Sequence, residues 1–245
     1  MPTTSASPES LRITVIYDNN ALDSRLRTAW GFSALVEYGE HRVLFDTGGD
    51  GPILLENMRT LSIDPGAIQH VVLSHAHGDH TGGLSAVLEA GGKPSVYVLP
   101  SFAESYKSQI RKITQVREVR PGEILAEGIL STGEISASIP EQALLIRTDE
   151  GLVIITGCAH PGIVRIIEIA RELTHEPVHL VLGGFHLGSK SHAEISGILA
   201  DFRQLGVEQV APCHCTGATA IDMFAAEYGE GFIRTGVGKV FTLAR

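Results

Sequence analysis

The sequence predicts an α/β protein in which two mixed β-sheets pack face to face under outer layers of helices, an αββα sandwich. Short apolar runs of strand length alternate with segments whose apolar residues recur at helical spacing. Turns containing glycine join two pairs of these runs as hairpins, which introduces antiparallel pairing. We assign residues 11–245 to this single domain and residues 1–10, rich in Pro, Ser and Thr, to a disordered tail.

The first half of the chain begins with a strand that ends at the turn Asp18-Asn19-Asn20, and we place Asn19 near the functional site. Strands are predicted over 13–17, 33–38, 42–45, 70–73 and 96–99. Helices are predicted after Gly51-Pro52, after Gly82-Gly83 and over 102–110.

Residues 114–140 are interpreted as a meander or a lid, with short strand-like pieces at 116–119 and 129–132. The runs 143–146 and 152–155 flank Asp149-Glu150-Gly151 and should form an antiparallel pair. Helices are predicted over 163–173, 195–205 and 221–228, and strands over 179–182, 207–211 and 240–243.

The loop after strand 70–73 carries three histidines and a carboxylate within six residues, at His75, His77, Asp79 and His80. Residues two apart on an extended segment point to the same side, so His75 and His77 can bind one metal. Asp79 and His80 then turn toward a second position. This spacing predicts a site for two adjacent metal ions on a strand-to-helix loop.

The H-x-H-x-D-H run, with the phrase Leu44 to Gly48 upstream, resembles the metallo-β-lactamase superfamily. Within that superfamily, the phrases 156–160, 183–187 and 212–217 are similar to the branch of 7,8-dihydropterin-6-methyl-4-(β-D-ribofuranosyl)aminobenzene 5′-phosphate synthase. The resemblance implies that Asp46 orients the histidines of the metal loop without binding metal and that His214 is the last metal ligand. Relatives often carry a metal-binding histidine near residues 114–140, but this chain has none between His80 and His160.

The ligand sets expected from this reasoning are His75, His77 and His160 for one metal, and Asp79, His80 and His214 for the other. His160 lies two residues after Cys158, on the same side if the segment is extended. Cys158 is either a thiolate ligand or a packing residue. By the same alternation, Cys213 and Cys215 should point away from His214 and pack in the core.

Two glycines lead into His186, for which three roles remain open: metal ligand, general acid or substrate-anchoring donor. We expect Asp79 and His186 to be the catalytic residues. The cofactors expected are two divalent metal ions, zinc first, with manganese or iron as alternatives, because imidazole and carboxylate ligands suit all three.

Composition excludes several classes of protein. The net charge of −9 with scattered basic residues argues against binding to nucleic acid, and no apolar run is long enough to span a membrane. Three cysteines without a secretory signal favour a reducing, cytoplasmic compartment. The sequence leaves the oligomeric state open.

The function expected is that of a metal-dependent hydrolase or transferase acting on a small phosphate-containing, pterin-like substrate. Hydrolysis is the chemistry that the superfamily implies, whereas the nearer branch implies a condensation. The alternative is a non-catalytic small-molecule sensor on the same scaffold.

Overall fold

The structure is a computed structural model and describes residues 10–244. These residues form two β-sheets, of seven and six strands. The strands are β1 Leu11–Tyr17, β2 Ser33–Tyr38, β3 His41–Phe45, β4 His70–Val72, β5 Ser95–Val98, β6 Val116–Glu118, β7 Ile124–Ala126, β8 Ile129–Ser131, β9 Leu144–Thr148, β10 Gly151–Thr156, β11 Val178–Gly184, β12 Gln209–Cys213 and β13 Val240–Leu243.

The first sheet has the strand order β13-β1-β2-β3-β4-β5-β6, and the second has the order β12-β11-β10-β9-β8-β7. Both sheets are mixed: β3, β4, β5 and β6 run parallel, as do β10, β11 and β12, while the remaining neighbours are antiparallel. The predicted pair around Asp149-Glu150-Gly151 is confirmed as β9 and β10, with Leu152 opposite Arg147.

The helices lie outside the two sheets and bury one face each. They are α1 Gly51–Thr60, α2 Gly78–Thr81, α3 Leu84–Glu89, α4 Glu104–Arg111, α5 Ile163–Thr174, α6 His192–Gln204 and α7 Ala218–Tyr228. Local chemistry fixes several of their starts. Asp50 caps α1 by accepting the N–H of Ile53, and Ser191 with Glu194 forms a capping box at α6.

Two apolar layers hold the sandwich together. The larger contains buried side chains from both sheets, such as Ile13 and Leu35 from the first and Ile155 and Leu182 from the second. The smaller lies between the second sheet and helices α5, α6 and α7, where Phe202 packs. The predicted αββα sandwich is therefore confirmed.

The loops that carry the candidate site lie where parallel strands end. Asp46 follows β3, Ser74 follows β4, and Gly157 follows β10. Since β3 and β4 are parallel, as are β10, β11 and β12, their carboxyl ends share one edge of each sheet. This edge collects residues from distant parts of the chain, which is the usual place for ligand binding in such sheets.

The structure differs in detail from two sequence predictions, and a third lies almost wholly outside the described residues. The meander predicted within residues 114–140 is present only as β7 and β8, which pair antiparallel and lead to β9 in the second sheet, whereas β6 is a parallel edge strand of the first sheet. The helix expected to begin at Gly82-Gly83 is preceded by the short helix α2, so Asp79 and His80 are helical. The tail predicted over 1–10 lies outside the described residues except for Ser10. None of the helices in residues 10–244 is long and apolar enough to cross a membrane.

Candidate metal centre

The histidine loop leaves β4 in an extended conformation and then turns into α2. Nε2 of His75 lies 3.1 Å from Nδ1 of His77, and the two rings meet edge to face at 4.7 Å between centroids. His75 is fully buried, whereas His77 is exposed. The alternation predicted from the sequence therefore brings both imidazoles to the same place, one below the surface and one at the mouth.

Asp46 orients two of the loop residues. Its Oδ1 accepts the N–H of Ser74 at 2.7 Å, and its Oδ2 accepts both the Ser74 hydroxyl, at 2.7 Å, and Nδ1 of His80, at 2.6 Å. Ser74 Oγ in turn lies 2.9 Å from Nδ1 of His75. Because the Nδ1 atoms face these oxygens, the Nε2 atoms of His75 and His80 are left with their lone pairs toward the cluster.

His214 is held in a similar way from the other side of the molecule. Its Nδ1 lies 2.8 Å from Oδ1 of Asn19, whose amide nitrogen donates to the His214 carbonyl at 3.2 Å. The turn after β1 is thereby fixed to the end of β12, and Nε2 of His214 faces Oδ2 of Asp79 at 3.5 Å. The same Asp79 oxygen lies 3.6 Å from Nε2 of His80.

Glu141 fixes the loop that follows β10, and the sequence reasoning did not find it. Its carboxylate is fully buried and accepts four consecutive backbone N–H groups. Oε1 accepts those of Gly157, Cys158 and Ala159 at 3.1, 2.8 and 2.9 Å, and Oε2 accepts that of His160 at 2.9 Å. No residue spacing signals this role, because the partners follow Glu141 by 16 to 19 residues.

Cys158 and His160 both reach the cluster, but not by the alternation of an extended strand. Ala159 between them has a φ of 59°, so the chain turns there. The thiol of Cys158 lies 3.3 Å from Nε2 of His80. Donor atoms within 4.8 Å of one another form two groups that share this thiol: one with His75 and His160, and one with His80 and His214.

Cys215 corrects the sequence prediction, which placed it in the core with Cys213. His214 has a φ of 47° and begins a 3₁₀ turn, so alternation along the strand fails there. Cys213 is buried as expected. Cys215 instead forms a third group of donor atoms with Cys158 and His186. The hydrogen bond that the His186 imidazole donates to the Cys215 sulfur is the largest influence on His186 and raises the pKa of its imidazole.

The electrostatics of the cluster favour neutral imidazoles at His75 and His160. Burial and the neighbouring rings lower the pKa of His75, and burial with the adjacent His186 lowers the pKa of His160 to about 4. Burial opposes charge on His80, but the Asp46 carboxylate outweighs it and raises the pKa of His80. Burial raises the pKa of Asp79, but the hydrogen bond with His214 and the charge of His80 outweigh burial and lower that pKa overall, so Asp79 is an anion.

These residues fit a divalent metal. Within residues 10–244, the buried Nε2 atoms of His160 and His214 have no hydrogen-bond partner, although buried polar atoms normally have one. Both belong to the groups described above. Imidazole nitrogen, thiolate sulfur and carboxylate oxygen are ligands that zinc, iron and manganese accept in different proportions.

The structure brings the predicted residues to one place. Rings in contact run from His77 and His75 to His80, His160, His186 and His214, with Asp79 and Cys158 beside them. Asp46 and Asn19 lie behind this cluster. The sequence reasoning missed Glu141 and Cys215.

Comparisons with known proteins find relatives in one superfamily. The metallo-beta-lactamase superfamily model matches residues 31–135. The 7,8-dihydropterin-6-methyl-4-(beta-D-ribofuranosyl)-aminobenzene-5′-phosphate synthase of Methanocaldococcus jannaschii is 29% identical, over 93% of this chain and 94% of that protein.

Solved structures extend the comparison to the whole fold. A metal-dependent hydrolase of the β-lactamase superfamily is 30% identical and superimposes with a TM-score of 0.80, over 96% of this chain and 100% of that chain. The metallo-beta-lactamase fold protein YhfI from Bacillus subtilis has the same fold, with a TM-score of 0.72 at 14% identity over 96% of this chain and 99% of that chain. With the fold, the histidine loop and these relatives in agreement, the chain belongs to the metallo-β-lactamase superfamily.

Proposed function

We propose that this protein is a metal-dependent enzyme that hydrolyses or transfers a phosphate-containing small molecule at a dinuclear metal site. The observation that carries the proposal is the pair of donor groups that share the thiol of Cys158. The similarity to a synthase whose name contains an aminobenzene ribofuranosyl 5′-phosphate supports the substrate class. The net charge of −9 makes a nucleic acid an unfavourable partner.

The proposed first position is formed by His75, His77 and His160, and the second by Asp79, His80 and His214. Cys158 is a donor common to both. The hydrogen bond with Cys215 and burial raise the pKa of Cys158, so its thiol is protonated until a cation binds beside it. Coordination deprotonates a thiol outright, and metal binding at this centre should therefore release a proton.

Cobalt binding tests the role of Cys158. We expect the wild-type protein to bind two equivalents of Co²⁺ and to develop a near-ultraviolet charge-transfer band from thiolate to cobalt. Cys158→Ser should lose the band and bind both ions more weakly, because the shared donor is replaced by a hydroxyl. The fully buried Cys213 provides a matched serine control, which should keep the band. A band that survives in Cys158→Ser would contradict the assignment.

The two positions should lose metal at different pH values. Protons compete with metal for imidazole lone pairs, so a raised pKa means that competition begins at higher pH. The pKa of His80 is raised and that of His160 is lowered to about 4. As the pH falls, we expect one equivalent to leave first, from the position of His80, and the second to persist to lower pH. Metal analysis after dialysis at stepped pH measures this, and simultaneous release would contradict it.

Divalent metals bound here would polarise a phosphoryl oxygen and stabilise the charge that develops on it. The protein's own residues position the reacting groups. Asp79 is exposed enough to meet solvent and points its Oδ2 between His80 and His214. His186 is exposed, with its ring 4.4 Å from that of His160. Protonated His186 at this mouth can donate a proton to a departing oxygen.

Turnover of simple substrates tests the function. Protein loaded with zinc or manganese should release nitrophenol from bis(4-nitrophenyl) phosphate, or pyrophosphate from an alkyl pyrophosphate, and a chelator should abolish the release. Hydrolysis of the phosphodiester favours a hydrolase, and pyrophosphate release that depends on an added amine or arene favours a transferase. Tight retention of a phosphorylated ligand without either product would contradict the proposal and favour a sensor.

A further inference from the structure

Trp30 is a large aromatic side chain that the fold leaves exposed beside the candidate metal centre. It is the only tryptophan of the chain, and 60% of its surface is accessible. Its ring lies 4.8 Å from that of His214, measured between centroids, at an interplanar angle of 52°. One part of the indole therefore contacts a proposed metal ligand while the rest faces solvent.

The backbone around Trp30 is fixed to the metal loop. A Cβ atom on Gly31, whose φ is 138°, would collide with the carbonyl oxygen of Asp79, so only glycine permits this approach. Phe32 is fully buried, and its N–H donates to the same carbonyl at 3.3 Å. Trp30 is thus an exposed side chain on a firmly held segment, and its exposure does not come from a loose loop.

Ring contacts link Trp30 to the opposite side of the centre. Successive centroids from Trp30 to His214, His80, His75, His160 and His186 are 4.8, 5.0, 4.2, 4.8 and 4.4 Å apart. The two ends of this series, Trp30 and His186, are both exposed, and the imidazoles between them belong to the proposed metal positions. A substrate that spans the metals meets Trp30 on one side and His186 on the other.

We infer that Trp30 is a stacking surface for a flat aromatic ring in the substrate, whose phosphate lies over the metal centre. The inference rests on the proposed phosphate chemistry and adds an aromatic ring as the other part of the substrate. A large indole face costs hydration free energy when it is left in water, and covering it with a π-system recovers that cost with additional ring–ring attraction. A saturated ring of similar size fits the face less well because it is puckered.

Calorimetric titration of zinc-loaded protein with phenylphosphonate and cyclohexylphosphonate isolates this contribution. Both ligands carry the same non-hydrolysable head group, and they differ in the flatness of the ring. We expect wild-type protein to bind phenylphosphonate about threefold to tenfold more tightly than cyclohexylphosphonate, which is the usual gain in affinity from an aromatic pair. Trp30→Ala should bring the ratio of the two dissociation constants to about 1 without changing zinc content, and Trp30→Phe should restore most of the preference.

Leu22 supplies the matched control, because it is another exposed apolar side chain in the segment between β1 and β2, with 45% of its surface accessible. Leu22→Ala should keep the wild-type ratio. A ratio unchanged in Trp30→Ala, or absent in the wild type, would overturn the inference. If neither phosphonate binds, the phosphate chemistry itself is wrong. Quenching of Trp30 fluorescence by 6-hydroxymethylpterin, which has no phosphate, then supports the stacking surface, and absence of quenching rejects it.

Discussion

Glu141→Ala should lose both metal positions and destabilise the fold by about 3–5 kcal/mol, because a buried carboxylate that accepts four N–H groups is removed. The N–H groups of residues 157–160 would remain buried without acceptors, and the loop that carries Cys158 and His160 would rearrange. Chemical denaturation measures the stability, and metal analysis of the same preparation measures the site.

Two variants make this result specific. Glu134 lies on the same segment and accepts a single N–H, from Ser101 at 2.8 Å, so Glu134→Ala should cost about 1 kcal/mol and keep the metals. Glu141→Gln retains one oxygen, which can serve the three N–H groups now bound to Oε1. Its NH₂ group would then face the N–H of His160, and two donors cannot form a hydrogen bond with each other. Since His160 belongs to the proposed first metal position, that position should weaken more than the second. Full metal content in Glu141→Ala would refute the positioning role.

The fold was predictable because its signals are local. The turn Asp149-Glu150-Gly151 lies between two apolar runs, and the resulting pair β9 and β10 is antiparallel as predicted. Helix α5 followed from apolar residues at helical spacing, and Ile163, Ile166, Ile167 and Ala170 of this face are buried. The elements that were not predicted are short, such as β7, whose three residues carry no periodicity that can be distinguished from a turn.

The convergence of the His75 and His77 imidazoles was predictable for the same reason, since the two residues lie two apart on an extended segment. The rest of the site depends on backbone torsions that residue types do not reveal. Cys215 turns toward His186 because His214 takes a positive φ, which defeats the alternation argument. The role of Glu141 could not be predicted because its partners are backbone N–H groups, and any residue at 157–160 except proline would supply them.

His186→Ala should keep both metals and lose about 10²- to 10⁴-fold in turnover, the usual loss when a general acid is removed. The proposed ligand sets do not include His186, whose imidazole is exposed and hydrogen-bonded to Cys215. That hydrogen bond raises the pKa of His186, which extends the protonated form toward neutral pH. A proton donor is active below its pKa, so wild-type turnover should fall as the pH rises through that value.

The pH profile separates this role from a structural one. In His186→Ala the alkaline fall assigned to the proton donor should disappear, whereas a variant with a merely loosened site would keep the profile at a lower rate. His192→Ala, which removes an exposed histidine six residues further along the chain, should leave both rate and profile unchanged. His186 also lies within 4.8 Å of the thiols of Cys158 and Cys215, a set that can itself bind zinc. Loss of one equivalent of metal in His186→Ala would therefore make His186 a ligand, and the proton donor would have to be sought elsewhere.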